Sequence, residues 1–389
     1  MPVLVLAPPV HVIPEEGRLR ADDKFLSGLH RHAELWDGPL RLLLRVGAAP
    51  LPFSRLVTER DFPGELRLLG PDEPIRAEHL EGADVVLASG DRHDQMDLTA
   101  LSARTGARIV YAIEYTLPTR LRAAALDPDR SALRRMRSAA WVLKEERRRR
   151  RAFRAAAGLQ FNGYPAHRAY GSLDPRGCIY FDGRMSHEIM ATPEEMARRA
   201  SRLGAGGPVR LITSGRLEPM KGAQDLLPAA RAMLRAGVDF TLDIYGAGSL
   251  GARIAAAISS GEFGGRVRLH QPVEFETVLV PVMRREVDIF LSCHRQGDPS
   301  CSYLEAMGCG LPVIGTANEM WGPMAAESGA GWVVPMGRPS AVAACAAQLA
   351  SQRDAITAAA ARAMSFASAH DFAREFARRM DHLAGLVGR

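Results

Sequence analysis

Cysteine is scarce and unpaired in this 389-residue sequence: Cys178, Cys293, Cys301, Cys309 and Cys345 are odd in number, and no two form a C-x-x-C step. That disfavours both a disulfide framework and a structural zinc, so the five read as reduced, cytosolic thiols. Long apolar runs are missing as well. No window approaches the roughly 18 consecutive apolar residues of a membrane span. Met1–Val10 has neither a basic start nor a long apolar core, so neither spanning nor export is expected. Aromatic residues are few, at 6%. Nor does one sign of charge prevail, since a net charge of +6 over this length does not demand a nucleic-acid role. No His, Cys, Asp or Glu constellation has metal-ligand spacing, so no metal site is expected.

What is present is an ordinary globular composition, 47% hydrophobic, in a chain long enough for two cores. Apolar runs at Val3–Ala7, Leu40–Val46, Leu66–Leu69, Val85–Ala88 and Ile109–Ile113 read as buried strands, and helical spacing such as that of Lys24–Trp36 separates them. Strands alternating with helices predict a doubly wound α/β sheet. Further strands are expected at Gly158–Asn162 and Cys178–Phe181. Pro9–Arg20, with Gly17, reads as a loop at the carboxyl end of the first strand, where open α/β sheets bind ligands. The Gly-rich end of Pro193–Gly207 reads as the approach to a second domain, which sets a boundary at 200/201.

The second half opens on a strand, Val209–Thr213, followed by Ser214-Gly215-Arg216-Leu217-Glu218-Pro219-Met220-Lys221-Gly222. Two cations five residues apart, on a loop after a strand and near a helix N-terminus, can neutralise a pyrophosphate without a metal. Phe240–Tyr245 then leads into Gly246-Ala247-Gly248, and Val267–Leu269 into His270 and Gln271. From Gly297 to Gly315 the pattern is polar loop, short helix, Gly turn and strand, preceded by the strand Ile289–Ser292. Ser300 or Ser302 is suited to cap that helix. Glu305 then accepts hydrogen bonds from a ligand's vicinal hydroxyls, or only favours the helix dipole.

Two acidic or basic features stand in the first half. Glu114, at the end of the Ile109–Ile113 strand, either orients an acceptor hydroxyl and shares its proton or pairs with Arg120 or Arg122. Arg147–Arg151 is a run of five arginines. It is a solvated helical face with Glu145 and Glu146 pairing some arginines, or a basic contact for anionic lipid with Trp141 and Phe153 near the interface.

Leu304-Glu305-Ala306-Met307-Gly308-Cys309-Gly310-Leu311-Pro312-Val313-Ile314 resembles the signature of the retaining glycosyltransferases of family 4, in which a glutamate, seven residues and a second glutamate precede Ala-Met-Ala-x-Gly-x-Pro-Val-Ile. The Gly215-Arg216-Leu217…Lys221-Gly222 stretch is similar to the same family. Together they cover about Val209 to Pro335. The resemblance implies a GT-B architecture: two Rossmann-like doubly wound α/β domains facing across a cleft. These would be an acceptor-binding domain at 1–200 and a nucleotide-sugar-binding domain at 201–371, with a terminal helix at 372–389 crossing back. It also implies transfer of a hexosyl group from a nucleoside diphosphate sugar to a glycan, lipid-linked or small-molecule acceptor; UDP is the nucleotide considered, while the base itself is not readable from the sequence. Arg216 and Lys221 would hold the diphosphate and Glu305 the ribose, with Gly215, Ser300, Cys301, Ser302 and Gln271 around the nucleotide. Departures occur at both sugar contacts. Gly297 stands where the family has its first glutamate, with Asp298 the nearest acid, and Glu114 stands where the family has a histidine. No cofactor is implied beyond the donor substrate. The remaining expectations are a cytoplasmic enzyme with weak peripheral contact to an anionic membrane; the alternatives are a nucleotide-sugar epimerase or a non-catalytic sugar-nucleotide binder.

Overall fold

The computed structural model describes every residue except Pro52, 127–130, Asp298, Ser300, Gly388 and Arg389. It forms two compact units. The first takes the described residues of 1–125, 129–180 and 373–389, the second chiefly Phe181–Phe372 together with Leu126.

In the first unit the strands are β1 Leu4–Ala7, β2 His11–Glu15, β3 Arg18–Asp22, β4 Leu40–Val46, β5 Ser54–Val57, β6 Glu65–Leu69, β7 Val85–Ser89, β8 Arg108–Ile113, β9 Gly158–Asn162 and β10 Cys178–Tyr180. Their order in the sheet is β10-β9-β8-β7-β1-β4-β2-β3-β5, with β6 also paired to β4. All pairings are parallel except those of β3 with β2 and β5. Both faces are covered, which is why these strands read as continuous apolar runs and not as alternating ones. Leu4, Leu6, Leu42 and Val85 fill one core with Leu26 and Leu29 of the helix Asp23–Leu35. Val5, Ala7, Leu43 and Val86 point to the other, with Phe153 and Tyr170.

The stretch Pro9–Arg20 is not the expected ligand loop. It is mostly the antiparallel hairpin β2–β3, turned at Glu16 and Gly17, both at positive φ. Pro8-Pro9 ends β1 because proline cannot donate to a ladder, and β2 resumes along β4 at Arg45–Val46.

The second unit holds β11 Val209–Ser214, β12 Phe240–Tyr245, β13 Val267–His270, β14 Ile289–Ser292, β15 Val313–Thr316 and β16 Gly331–Val334. They form one parallel sheet in the order β13-β12-β11-β14-β15-β16. This unit begins at Phe181, about twenty residues before the expected boundary. Pro193–Gly204 is a helix capped by Thr192, with Glu195 closing a capping box. Its Arg199, 2% exposed, donates to the carbonyls of Met283, Val287 and Cys309 and so binds the helix to the second unit. The last helix, Phe372–Ala384, contributes Met380 and Leu383 to the first unit's core.

Candidate nucleotide-sugar site

The carboxyl ends of β11, β12 and β14 carry three loops that are stitched together. After β11, the Leu217 N–H donates to the Ala247 carbonyl (2.8 Å) and the Leu217 carbonyl accepts from Leu250 N–H (3.0 Å). Glu218 accepts from both the N–H and the hydroxyl of Ser249, at 2.8 and 2.5 Å. The Gly246–Leu250 turn therefore serves to fix the β11 loop. On the other side, Arg295 N–H donates to the Met220 carbonyl (3.1 Å), and the Arg295 guanidinium grips Asp225 through two 2.7 Å bonds. Asp225 lies in the first turn of the helix Ala223–Arg235. Gly222, at φ +70°, admits no side chain, since a Cβ there would come 1.8 Å from the Cys293 carbonyl oxygen.

On this stitched frame the two expected cations are presented. Arg216 is exposed, and its side chain makes no hydrogen bond or ion pair among the described residues. Gly215, at φ +143°, precedes it and is also exposed. Lys221 is half-buried, close enough to the His294 ring that its charge, added to burial, holds the imidazole well below the ordinary histidine range. His294 is 6% exposed and its Nδ1 is buried without a hydrogen bond.

Glu305 lies on the helix Cys301–Gly308, in its second turn and not at its mouth. It is 4% exposed, and its Oε1 accepts from Arg184 Nε at 2.8 Å. Oε2 has no partner among the described residues. Arg184 was not singled out by sequence, and no local pattern marks it, because it meets Glu305 from 121 residues away. Because the helix starts at Cys301, Ser302 sits inside it and is not its cap; it is buried, and Cys301 is half-buried. Asp298 and Ser300 lie outside the described residues. Gln271 follows β13 directly and is exposed. His270 is engaged instead, bonded to Asp243 (2.6 Å) and stacked on Tyr245.

On the β15 loop, Asn318 is 6% exposed and its side chain is fully used. Its Oδ1 accepts from Met320 and Trp321 N–H, and its Nδ2 donates to the Tyr303 hydroxyl and the His294 carbonyl. Glu319 beside it packs over Gly297. A Cβ at 297 would meet the Glu319 carboxylate, so the missing side chain there makes room for a carboxylate from the next loop.

In the first unit, Glu114 follows β8 and is half-buried, its N–H bonded to Asp91 Oδ2 (2.8 Å). Asp91 also accepts from Tyr115 N–H and from Arg149 Nη2. Burial pushes the Asp91 carboxyl up, against the pull of Arg149. The arginine run is thus not one face. Arg149 is 1% exposed and reaches Gly90, Asp91 and Tyr115; Arg148 pairs with Asp97 and Glu145, and Arg150 with Glu146. Phe153, expected near an interface, is core. Arg120 lies 3.9 Å from Glu146, with Nη1 buried and otherwise unbonded.

Among the described residues no three His, Cys, Asp or Glu side chains group as metal ligands, and no helix is long and apolar enough to cross a membrane.

A family model described as "Glycosyl transferases group 1" matches residues 208–352, the stretch that holds Arg216, Lys221 and Glu305. The amylovoran biosynthesis glycosyltransferase AmsK of Erwinia amylovora is 30% identical over 146 residues, a match covering 35% of this chain and 35% of that protein. The chain therefore aligns with about a third of the length of the curated relative it matches. Among solved structures, Alr3699/HepE of Anabaena in complex with UDP is similar at TM-score 0.66 and 14% identity, covering 99% of this chain and 100% of that one. Sucrose-phosphate synthase of Thermosynechococcus elongatus is similar at TM-score 0.66 and 15% identity, covering 99% and 98%. At such identities the likeness establishes the fold, the GT-B arrangement of two α/β units with parallel sheets.

Proposed function

We propose that this protein is a retaining, metal-independent glycosyltransferase of family 4 type, moving a hexosyl group from a nucleoside diphosphate sugar, with UDP the favoured nucleotide, to an acceptor hydroxyl. The observation that carries the reading is Arg216 held without a partner on a stitched loop, six residues before the turn at Gly222, in the segment that the group 1 family model matches. The UDP complex of a similar fold supports the choice of base. Negative charge builds on the departing diphosphate, and fixed cations stabilise it with little reorganisation. Arg216 and Lys221 take that role.

Glu305 accepts from the ribose hydroxyls through the oxygen that Arg184 leaves open. Gly215, Cys301, Ser302 and Gln271 are assigned to the nucleotide, with Ser300, which lies outside the described residues. In the transfer step the bond between the anomeric carbon and the phosphate oxygen breaks. The acceptor oxygen bonds to that carbon on the same face, and its proton passes to the departing phosphate oxygen. Glu114 orients the acceptor. Asp298, assigned on sequence alone, meets hydroxyls of the donor sugar. The acceptor is a glycan, a lipid-linked intermediate or a small molecule in cytoplasmic assembly of envelope polysaccharide, glycolipid or another glycoconjugate.

The test is donor turnover. Arg216→Ala and Lys221→Ala should keep the wild-type melting temperature and lose about 100-fold in transfer of a labelled UDP-sugar, the scale of a lost preorganised charge. Transfer should persist in EDTA. Undiminished turnover in both variants, or loss on chelation restored by manganese, would overturn the reading.

A further inference from the structure

The helix Ala132–Ala155 has 24 residues and only two acidic ones, Glu145 and Glu146. Both are buried and paired with Arg148, Arg149 and Arg150. Its outer face is therefore without negative charge. Arg134, Arg137, Lys144, Arg147, Arg151 and Arg154 make no ion pair among the described residues. Between and beside these cations, Leu133, Met136 and Leu143 stand 56%, 70% and 51% exposed. With Ala140 they follow helical spacing, at i, i+3, i+7 and i+10, so they form one apolar stripe. Trp141, 46% exposed, lies at the edge of the stripe against His93. Four of the ten large apolar residues exposed among the described residues lie on this one helix.

We propose that this face docks on an anionic lipid bilayer, the apolar stripe entering the headgroup boundary and the unpaired cations meeting lipid phosphates. The helix is far too charged to span, and an apolar stripe in a cationic field is the composition of a helix that lies in the interface. Charge decides the partner. A protein surface chosen for the stripe alone would not require every carboxylate of the helix to be turned inward, whereas an anionic leaflet attracts juxtamembrane cations and repels acids. The apolar stripe lies in the first half of the helix, the cations run along its length, and the five-arginine run supplies only Arg147 and Arg151 to the contact. This surface stands independently of the transferase reading.

Co-sedimentation of the full chain with vesicles tests it, using phosphatidylcholine alone and phosphatidylcholine mixed with phosphatidylglycerol. Binding is expected only to the mixed vesicles and should fall steeply with salt. Each of Arg134→Gln, Arg137→Gln and Arg147→Gln should lower partitioning about fivefold. Met136→Asp with Leu143→Asp should lower it tenfold or more while leaving the melting temperature unchanged, since both residues are exposed. No binding to mixed vesicles, equal binding to neutral ones, or binding indifferent to the apolar variant would overturn the proposal. So would a dimer in sedimentation equilibrium that the same variant dissolves, which would give the face to a second copy.

Discussion

Arg184 Nε donates to Glu305 Oε1 at 2.8 Å while the same guanidinium lies 3.7 Å from the centroid of the Phe275 ring. The carboxylate is thereby held in one orientation, with one oxygen spent and one open. An arginine fork stacked on an aromatic face loses little freedom in making such a bond.

Glu305→Ala should therefore weaken UDP binding about tenfold or more, because a hydrogen bond to a charged group contributes roughly 1.5–3 kcal/mol. The same variant should bind 2′,3′-dideoxy-UDP as the wild type does. Arg184→Ala should weaken UDP binding by a smaller factor, through loss of the carboxylate's orientation. Titration calorimetry separates the cases: an equal loss for both nucleotides on removing Glu305 would end its assignment to the ribose.

Glu114→Gln keeps the shape of the side chain and removes its charge. Donor affinity should be unchanged and the transfer rate should fall by roughly 100-fold, the scale of a misplaced reactant. A raised Kd for the nucleotide sugar with an unaltered rate would contradict the role given to Glu114.

Within the arginine run, position decides consequence. Arg149→Ala leaves Asp91 and Glu146 without their buried cation and should destabilise the first unit by about 3–5 kcal/mol. Arg151→Ala, on the exposed face, should stay within about 0.5 kcal/mol of wild type. Urea unfolding measures both, and comparable effects would mean that the burial of Arg149 is not what holds the Asp91 loop.

Acid should loosen both units through two neutral histidines. Burial pushes His32 down to about 3, and His294 well below its ordinary range. Between the unfolded histidine value of about 6.5 and the folded one, the unfolded chain binds the extra proton. Stability is thus complete above about pH 6.5 and falls by about 1.4 kcal/mol per unit per histidine as the pH drops, or about 2 kcal/mol each by pH 5. Because the buried Asp91 carboxyl is itself pushed up, the histidine share is read by calorimetric melting as the difference between wild type and a histidine variant. His32→Leu should flatten the slope by one histidine's share; an unchanged slope would mean that His32 is protonated in the folded state.

Much of this was legible in the sequence. The loop of Arg216 and Lys221 follows a strand whose apolar run is bounded by glycine, and the helix carrying Glu305 lies between two apolar runs, so both elements could be read locally. β2 and β3 were missed because Pro8, Pro9 and Pro14 suggest a loop, whereas β2 pairs with β4 only at His11 and Val12, so Pro14 has no ladder bond to give on that side. The second unit's start was missed because the Gly204–Gly207 cluster resembles a linker, while the long-range bonds of Arg199 that attach the preceding helix leave no local trace. Arg184 and Glu319 act on Glu305 and Gly297 across the fold, and spacing within one segment cannot register such partners. Arg149 looked like its four neighbours, and only its tertiary partners distinguish it.

The second unit is an insertion in the first, entered at Phe181 and left at Phe372. During synthesis, its sheet and helices are complete while the first unit still lacks Met380 and Leu383, two residues of its own core. The portion made first is thus the portion finished last. Its core therefore closes only after nearly two hundred further residues are translated.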